Sequence, residues 1–351
     1  MSAQPAQLRL EPLTDILSPP RPVPPYFDPA SDAWVLSRYR DVLAAFREPN
    51  LWTVGSSGEG QMEVRDEIGK LRARGEMQEE LSSSKVSEWQ SRMETLAASA
   101  VAQLPAGRPV DLLREFALPW CLSLAIIATR VDPDDRPRLA DLGASVFSGT
   151  GEPKGSELHA QASAATAELD RYFQQRAMRN GEPTFIAISQ TMARLLSNGW
   201  LVLFRHPAEA ARLRAQPDLI PGAVDELLRY AGIIPKLFRR AIADVDLGGL
   251  RIAKEQRVNL MVASANRDPE QFPDPDRFDV TRRVANHLAL GIGRNSCIGA
   301  FVIRMAAAVT AAALLKEFPD AEPAGTVEWV SGAGFCFPGS VQVLLRRASM
   351  C

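Results

Sequence analysis

Apolar residues recur at helical spacing through the middle of the chain. Val86, Trp89, Met93, Leu96, Ala100 and Leu104 share one face at a period near 3.6, behind a capping cluster, Ser82-Ser83-Ser84, and predict a helix. Ahead of it, Ala33 to Tyr39 reads as a strand and Tyr39 to Phe46 as a short helix ending before Glu48-Pro49. Thr53 to Gly60 is a glycine- and serine-rich loop, and Val64 to Glu80 a charged helix. After Pro105-Ala-Gly107 a helix is expected through Leu112, Phe116, Leu122 and Ile126, kinked at Pro119. Ser156 to Arg179 continues the helical grammar until Asn180-Gly-Glu-Pro183 interrupts it. Pro183 suits the first turn of the next helix, which runs from about Thr184 to Arg205. Pro207 to Gln216 and Pro221 to Tyr230 complete the helical part.

Past Gly232 the period changes from helix to strand. Leu237 to Ile242, Val245 to Ile252 and Arg257 to Val262 read as short strands, with Gly248-Gly249 as a hairpin turn. A loop rich in turn formers covers Ala265 to Phe278. A helix from Ile298 to Phe318 and strand-like segments at Val327–Val330 and Val341–Leu345 close the chain. The sum is a mainly α chain with a smaller β portion toward its C-terminus, an α+β class. Residues 1–30 carry eight prolines and should form an extended arm, laid on the body or disordered, ahead of a single domain at 31–351.

With 46% hydrophobic residues, 23% charged residues and a net charge of −2, the chain has no electrostatic reason to bind nucleic acid or an anionic membrane. It lacks the run of about 20 apolar residues that spans a bilayer, and its start lacks the order of a signal peptide, so the cytoplasm is expected. Four cysteines without paired spacing and three histidines argue against a zinc site.

One cysteine stands apart. In His287-Leu-Ala-Leu-Gly-Ile-Gly-Arg-Asn-Ser-Cys297-Ile-Gly299, three glycines crowd a sulfur just ahead of a helix. Glycine permits sharp turns and close approach, and a helix start biases a thiol toward thiolate. Taken alone, the stretch fits either a buried core thiol in a turn or a metal-binding sulfur.

Three separated stretches, in order, resemble the cytochrome P450 family of haem-thiolate monooxygenases. They are Glu226-Leu-Leu-Arg229, Phe272-Pro-Asp-Pro-Asp-Arg277-Phe278 and the Cys297 stretch itself. The resemblance implies a P450-like fold of the soluble bacterial type, haem b (iron protoporphyrin IX) and Cys297 as the iron ligand. A thiolate ligand pushes electron density onto the iron. Gly291, Gly293 and Gly299 would let backbone N–H groups aim at the sulfur. Glu226, Arg229 and Arg277 would form a buried structural triad. Arg239 would hold a propionate, with Lys70 and Arg74 at the position of a second propionate pair.

The resemblance also marks departures. Leu290 replaces the family's phenylalanine seven residues before the cysteine, and Asn295 stands where a His or Arg usually meets a propionate. Arg294 could instead face a redox partner. Aligning Ala187-Ile-Ser-Gln-Thr191 with the family's Ala-Gly-x-acid-Thr segment keeps Thr191 but turns the acid into Gln190 and the glycine into Ile188. Gln190 cannot relay a proton by ionising, so delivery would rest on Thr191 and water. Between Tyr172 and Thr191 the family carries another helix and more of the oxygen-side helix, so part of the distal helical roof is missing here.

The implied activity is oxidation of a small apolar or natural-product molecule, with electrons from a ferredoxin- or flavodoxin-type donor. Its alternatives are a haem-binding relative that no longer activates dioxygen, and a peroxide-driven or redox-neutral haem enzyme. Candidate pocket wall comes from Thr53 to Gln61, Ile186 to Thr191, Ile233 to Leu237 and Gly334 to Pro338.

Overall fold

Strand Leu237–Ala241 lies antiparallel to both Leu51–Thr53 and Arg257–Leu260. Ala33–Leu36 then adds in parallel to Arg257–Leu260, and Tyr26–Asp28 closes the edge of a five-stranded sheet. These relations come from a computed structural model. It describes residues 16, 18–53, 83–149, 152, 155–178, 180–284, 286–293, 296–332 and 334–347, and of 83–87 the backbone only. The expected charged helix at Val64–Glu80, and with it Lys70, Arg74, Arg294 and Asn295, lies outside these residues.

The chain divides into two units, the first formed by Met1–Val64, Gly222–Ala300 and Trp329–Phe337. It holds the five-stranded sheet, the helix Tyr39–Arg47 and most of the helix Ile220–Ala231. Tyr39, Val42, Phe46, Leu51, Val258 and Leu288 share one core cluster. Gly248 and Gly249, with φ of 63° and 90°, make the expected tight turn between Val245–Leu247 and Leu250–Ile252. This left-handed geometry is what a two-residue hairpin loop requires. The described part of the proline-rich arm is laid on this unit: Ile16 is buried, and Ser37 Oγ donates to the Val23 carbonyl and accepts from the Val23 N–H.

The second unit comprises Arg65–Pro221, Phe301–Glu328 and Pro338–Cys351 and is mostly helical. Helix Ser83–Gln103 matches its periodicity within a few residues. The next segment differs from expectation. A strand, Pro109–Asp111, pairs with Gln342–Leu344 before any helix begins, and Leu112–Ala117 winds as a π-helix into the α-helix Leu118–Ala128. The Asp111 side chain accepts from the N–H groups of Leu113 and Arg114, the capping role of a helix start. A three-residue strand owes its existence to a partner over 200 positions away, which no local pattern announces. The strand expected at Val327–Val330 is likewise shifted, to Trp329–Gly332, where it pairs with Phe335–Pro338.

The shortened stretch before Thr191 is a packed structure. Helix Glu157–Gln174 ends, and the next helix starts at Gly181. It continues through the π-helical turn Ala187–Met192 into Ala193–Arg205, with Pro183 in its first turn. Gly181 makes this close connection possible, because a Cβ there would sit 2.3 Å from the Phe173 ring. Phe173, Phe185 and Leu169 belong to one buried cluster, against which Met178, Ile186 and Ile188 pack. Gly181→Ala is therefore expected to cost about 1–3 kcal/mol through overpacking, read from denaturant unfolding.

Candidate active site

Cys297 is presented by a loop that glycine shapes. Gly291 and Gly293 have φ of 65° and 69°, a left-handed conformation that other residues adopt only at a cost. The loop then folds back, so that the Cys297 N–H donates to the Leu290 carbonyl at 2.7 Å and the Ala300 N–H to the Cys297 carbonyl at 3.3 Å. Helix Ala300–Glu317 begins three residues after the sulfur, and its N-terminal end favours negative charge. Leu290 contributes this backbone acceptor, a role independent of the ring that the family places there. Cys297 is half-buried, whereas Cys121 and Cys336 are fully buried. Burial pushes the Cys121 thiol well above its ordinary range, as suits an inert core residue.

The stretch that follows the sheet is tied to helix Ile220–Ala231 by a buried charge network. Arg229 donates bidentately to Glu226, Nε to Oε2 at 2.6 Å and Nη2 to Oε1 at 2.8 Å, and both side chains are fully buried. Arg229 Nη1 also donates to the carbonyls of Asn266 and Pro275, at 2.8 and 2.9 Å. The third member is not Arg277 but Arg282, whose Nε lies 3.2 Å from Glu226 Oε1. Arg277 is 59% exposed and pairs with Asp279, giving the network only its backbone carbonyl. The turn at Pro273–Arg277 points its carbonyls toward Arg229 and Arg282, and in doing so turns the Arg277 side chain outward. His287 adds a second tie between this helix and the cysteine loop. Its Nε2 meets Asp225 at 3.2 Å and its Nδ1 accepts the Ala289 N–H, which sets the proton on Nε2.

Arg239 lies on strand Leu237–Ala241, paired with Thr53 on one side and Val258 on the other. Its side chain is 2% exposed, Nη1 donates to the Phe238 carbonyl, and the guanidinium sits 5.7 Å from the centre of the Phe46 ring.

In the second unit, Gln190 and Thr191 both lie in the π-helical turn, Gln190 buried and Thr191 half-buried. Such turns interrupt the regular ladder and frequently occur at functional sites. Gln190 is held by Arg194, whose Nη1 donates to the Gln190 carbonyl at 2.9 Å and to its Oε1 at 3.0 Å. Arg194 also stacks on Phe147, 3.8 Å from the ring centre, and burial pulls its pKa down to about 10. Gly143 gives the amide room, since a Cβ there would come within 3.2 Å of Gln190 Nε2. The i,i+4 spacing of Gln190 and Arg194 is visible in the sequence, but its burial is not. Of the residues aligned with the family's segment, Ile188 packs on the core cluster of this unit. Gln190→Leu is expected to cost about 1–3 kcal/mol by leaving a buried donor short of an acceptor, while Gln190→Glu stays within about 1 kcal/mol of wild type. Urea unfolding followed by circular dichroism separates the two.

Comparison with known proteins gives this arrangement its class. The cytochrome P450 family profile matches residues 205–329. The chain is 30% identical over 331 residues to cytochrome P450-SU2 of Streptomyces griseolus, across 83% of this chain and 81% of that protein. It is 27% identical over 349 residues to cytochrome P450 107B1 of Saccharopolyspora erythraea, across 82% of each. Among solved structures, the cytochrome P450 enzyme CxnD, for C–S bond formation in chuangxinmycin biosynthesis, superposes with a TM-score of 0.76 at 26% identity, over 91% of this chain and 90% of that one. The chain belongs to the cytochrome P450 family, and is an oxidoreductase of monooxygenase type that uses haem iron.

The residues described suit that group. Gly299 lies directly beside the sulfur, where a Cβ would sit 3.9 Å from Cys297 Sγ, an ordinary van der Waals contact. The same unit supplies a half-buried sulfur and a buried guanidinium, the two kinds of donor that a haem iron and its propionates require. No helix among the described residues is long and apolar enough to cross a membrane.

Proposed function

We propose that this chain is a haem b enzyme of the cytoplasm that oxidises a small apolar or natural-product substrate, with electrons from a separate ferredoxin- or flavodoxin-type donor. The observation that carries the reading is the glycine-turned loop that sets Cys297 at the head of helix Ala300–Glu317. C–S bond formation in chuangxinmycin biosynthesis by the similar enzyme CxnD supports a natural-product substrate. Residues 31–351 would act as one haem-binding domain.

Bound haem supplies the oxidative chemistry. The chain's part is to hold it and to manage protons. Cys297 Sγ would be the iron ligand, with Gly291, Gly299 and the Leu290 carbonyl shaping its loop. Arg239 would hold a propionate, its guanidinium buried beside strand Arg257–Leu260 and therefore strongly drawn to an anion. Lys70, Arg74 and Asn295 remain propionate-side candidates by resemblance. Thr191 Oγ1 would hold a proton on the oxygen side, and Gln190, fixed by Arg194, would orient that turn without ionising. The pocket wall would include Ile233 to Leu237 and Gly334 to Pro338.

The reduced carbon monoxide difference spectrum of haem-loaded protein tests the core of this reading: a thiolate-type Soret band is expected, and its absence overturns it. The clamp of Arg194 on Gln190 favours a second reading, a haem-binding relative that does not activate dioxygen or one driven by peroxide. Substrate-dependent oxygen consumption with a surrogate reductase rules out the first of these, and turnover with peroxide alone distinguishes the other.

A further inference from the structure

The stretch Ile233–Lys236, between helix Ile220–Ala231 and strand Leu237–Ala241, holds a lysine that the roles above leave unused. Lys236 is half-buried, and burial lowers its pKa from the ordinary lysine value. Its ammonium lies 5.1 Å from the centre of the Phe238 ring, and among the described residues no carboxylate lies within ion-pair distance of it. The neighbouring cations differ. Arg240 faces Glu255 at 3.6 Å, and Arg239 is the buried guanidinium assigned to a propionate. Desolvating an ammonium is costly, and the face of one phenylalanine compensates only part of the lost hydration.

The base of this lysine is held on two sides. The Ile233 carbonyl accepts from the Cys336 N–H at 2.9 Å, and the Pro235 carbonyl accepts from the Ala263 N–H at 3.1 Å. Gly334, at φ 86°, lets the turn of the neighbouring hairpin press directly on the segment, because a Cβ there would lie 2.8 Å from the Lys236 carbonyl oxygen and 3.2 Å from the Phe238 ring. The two segments assigned to the pocket wall, Ile233–Leu237 and the Gly334 turn, are thus in contact within one unit. Lys236 sits at their junction, on backbone that loses little freedom when a ligand arrives.

We propose that Lys236 forms an ion pair with a carboxylate on the substrate, so that this enzyme takes apolar carboxylic acids. The proposal rests on the reading that these two segments wall the substrate site. An incoming carboxylate gives the ammonium the counter-charge that the described residues do not supply, and the Phe238 ring beside it suits the hydrocarbon body of such an acid.

Equilibrium dialysis of haem-loaded protein against three acids, 4-butylbenzoate, dodecanoate and abietate, each beside its primary amide, tests this. At least one acid is expected to bind about tenfold more tightly than its amide. Lys236→Met is expected to remove that preference while leaving amide affinity within about twofold, and Lys236→Arg to retain it. If no acid outbinds its amide, or if Lys236→Met leaves the ratio unchanged, the proposal is overturned. The carbon monoxide spectrum of the same preparation reports separately on the haem-thiolate reading, so failure of one is not mistaken for failure of the other.

Discussion

Methionine in place of Arg229 is expected to lower unfolding free energy by about 3–5 kcal/mol, the usual cost of leaving a buried charge uncompensated. Glu226 is fully buried and receives four donors: two from Arg229, one from Arg282 and the Asp279 N–H at 3.2 Å. Removing Arg229 takes two of these away and also frees the carbonyls of Asn266 and Pro275, which it ties to the helix. The control distinguishes the two arginines that follow. Arg282→Ala should cost about 1–3 kcal/mol through its lost contact with Glu226, whereas Arg277→Ala, an exposed side chain, should stay within about 0.5 kcal/mol. Urea unfolding of the three variants measures the order, and an Arg277→Ala loss as large as that of Arg282→Ala would return the third place to Arg277. Replacing Glu226 and Arg229 together by leucine and methionine should recover part of the loss, because no charge is then stranded.

The second large effect is spectroscopic. Cys297→Ala is expected to abolish the thiolate-type Soret band of the carbon monoxide complex entirely while leaving the fold intact. The loop is closed by backbone groups, the Cys297 N–H on the Leu290 carbonyl and the Ala300 N–H on the Cys297 carbonyl, and alanine preserves both. Cys336→Ala is expected to keep the band, since that thiol is fully buried and its N–H is committed to the Ile233 carbonyl. An undiminished band in Cys297→Ala, at equal haem loading, would sink the assignment of the ligand.

How far the chain could be read in advance depended on the range of the forces involved. The helix over Ser83–Gln103 and the Gly248-Gly249 hairpin were legible because their causes lie within a few residues: an apolar period in one case, left-handed φ angles in the other. The motif at Glu226-Leu-Leu-Arg229 was also legible, since a bidentate pair at i,i+3 needs only one helical turn. Its third partner was not. Arg277 and Arg282 are both within reach along the chain, and spacing carries no information about which guanidinium a turn will expose. The strand at Pro109–Asp111 escaped for a related reason, as its hydrogen-bonding partners sit at Gln342–Leu344.

By itself, the sequence determined the order of helices, the turn chemistry around Cys297 and the pairing of Glu226 with Arg229, because backbone conformational preferences and neighbouring side chains act locally. Only the tertiary structure decided that Arg282 completes the buried network, that the Arg194–Gln190 pair is buried, and that the Lys236 backbone lies against the Gly334 turn with its side chain half-buried. The reason is electrostatic. The free energy of a charge is set by how much water it loses and by which oppositely charged or dipolar groups replace that water. Burial comes from packing between distant segments, so no window along the chain contains it, even where, as for Gln190 and Arg194, the two partners lie within one helical turn.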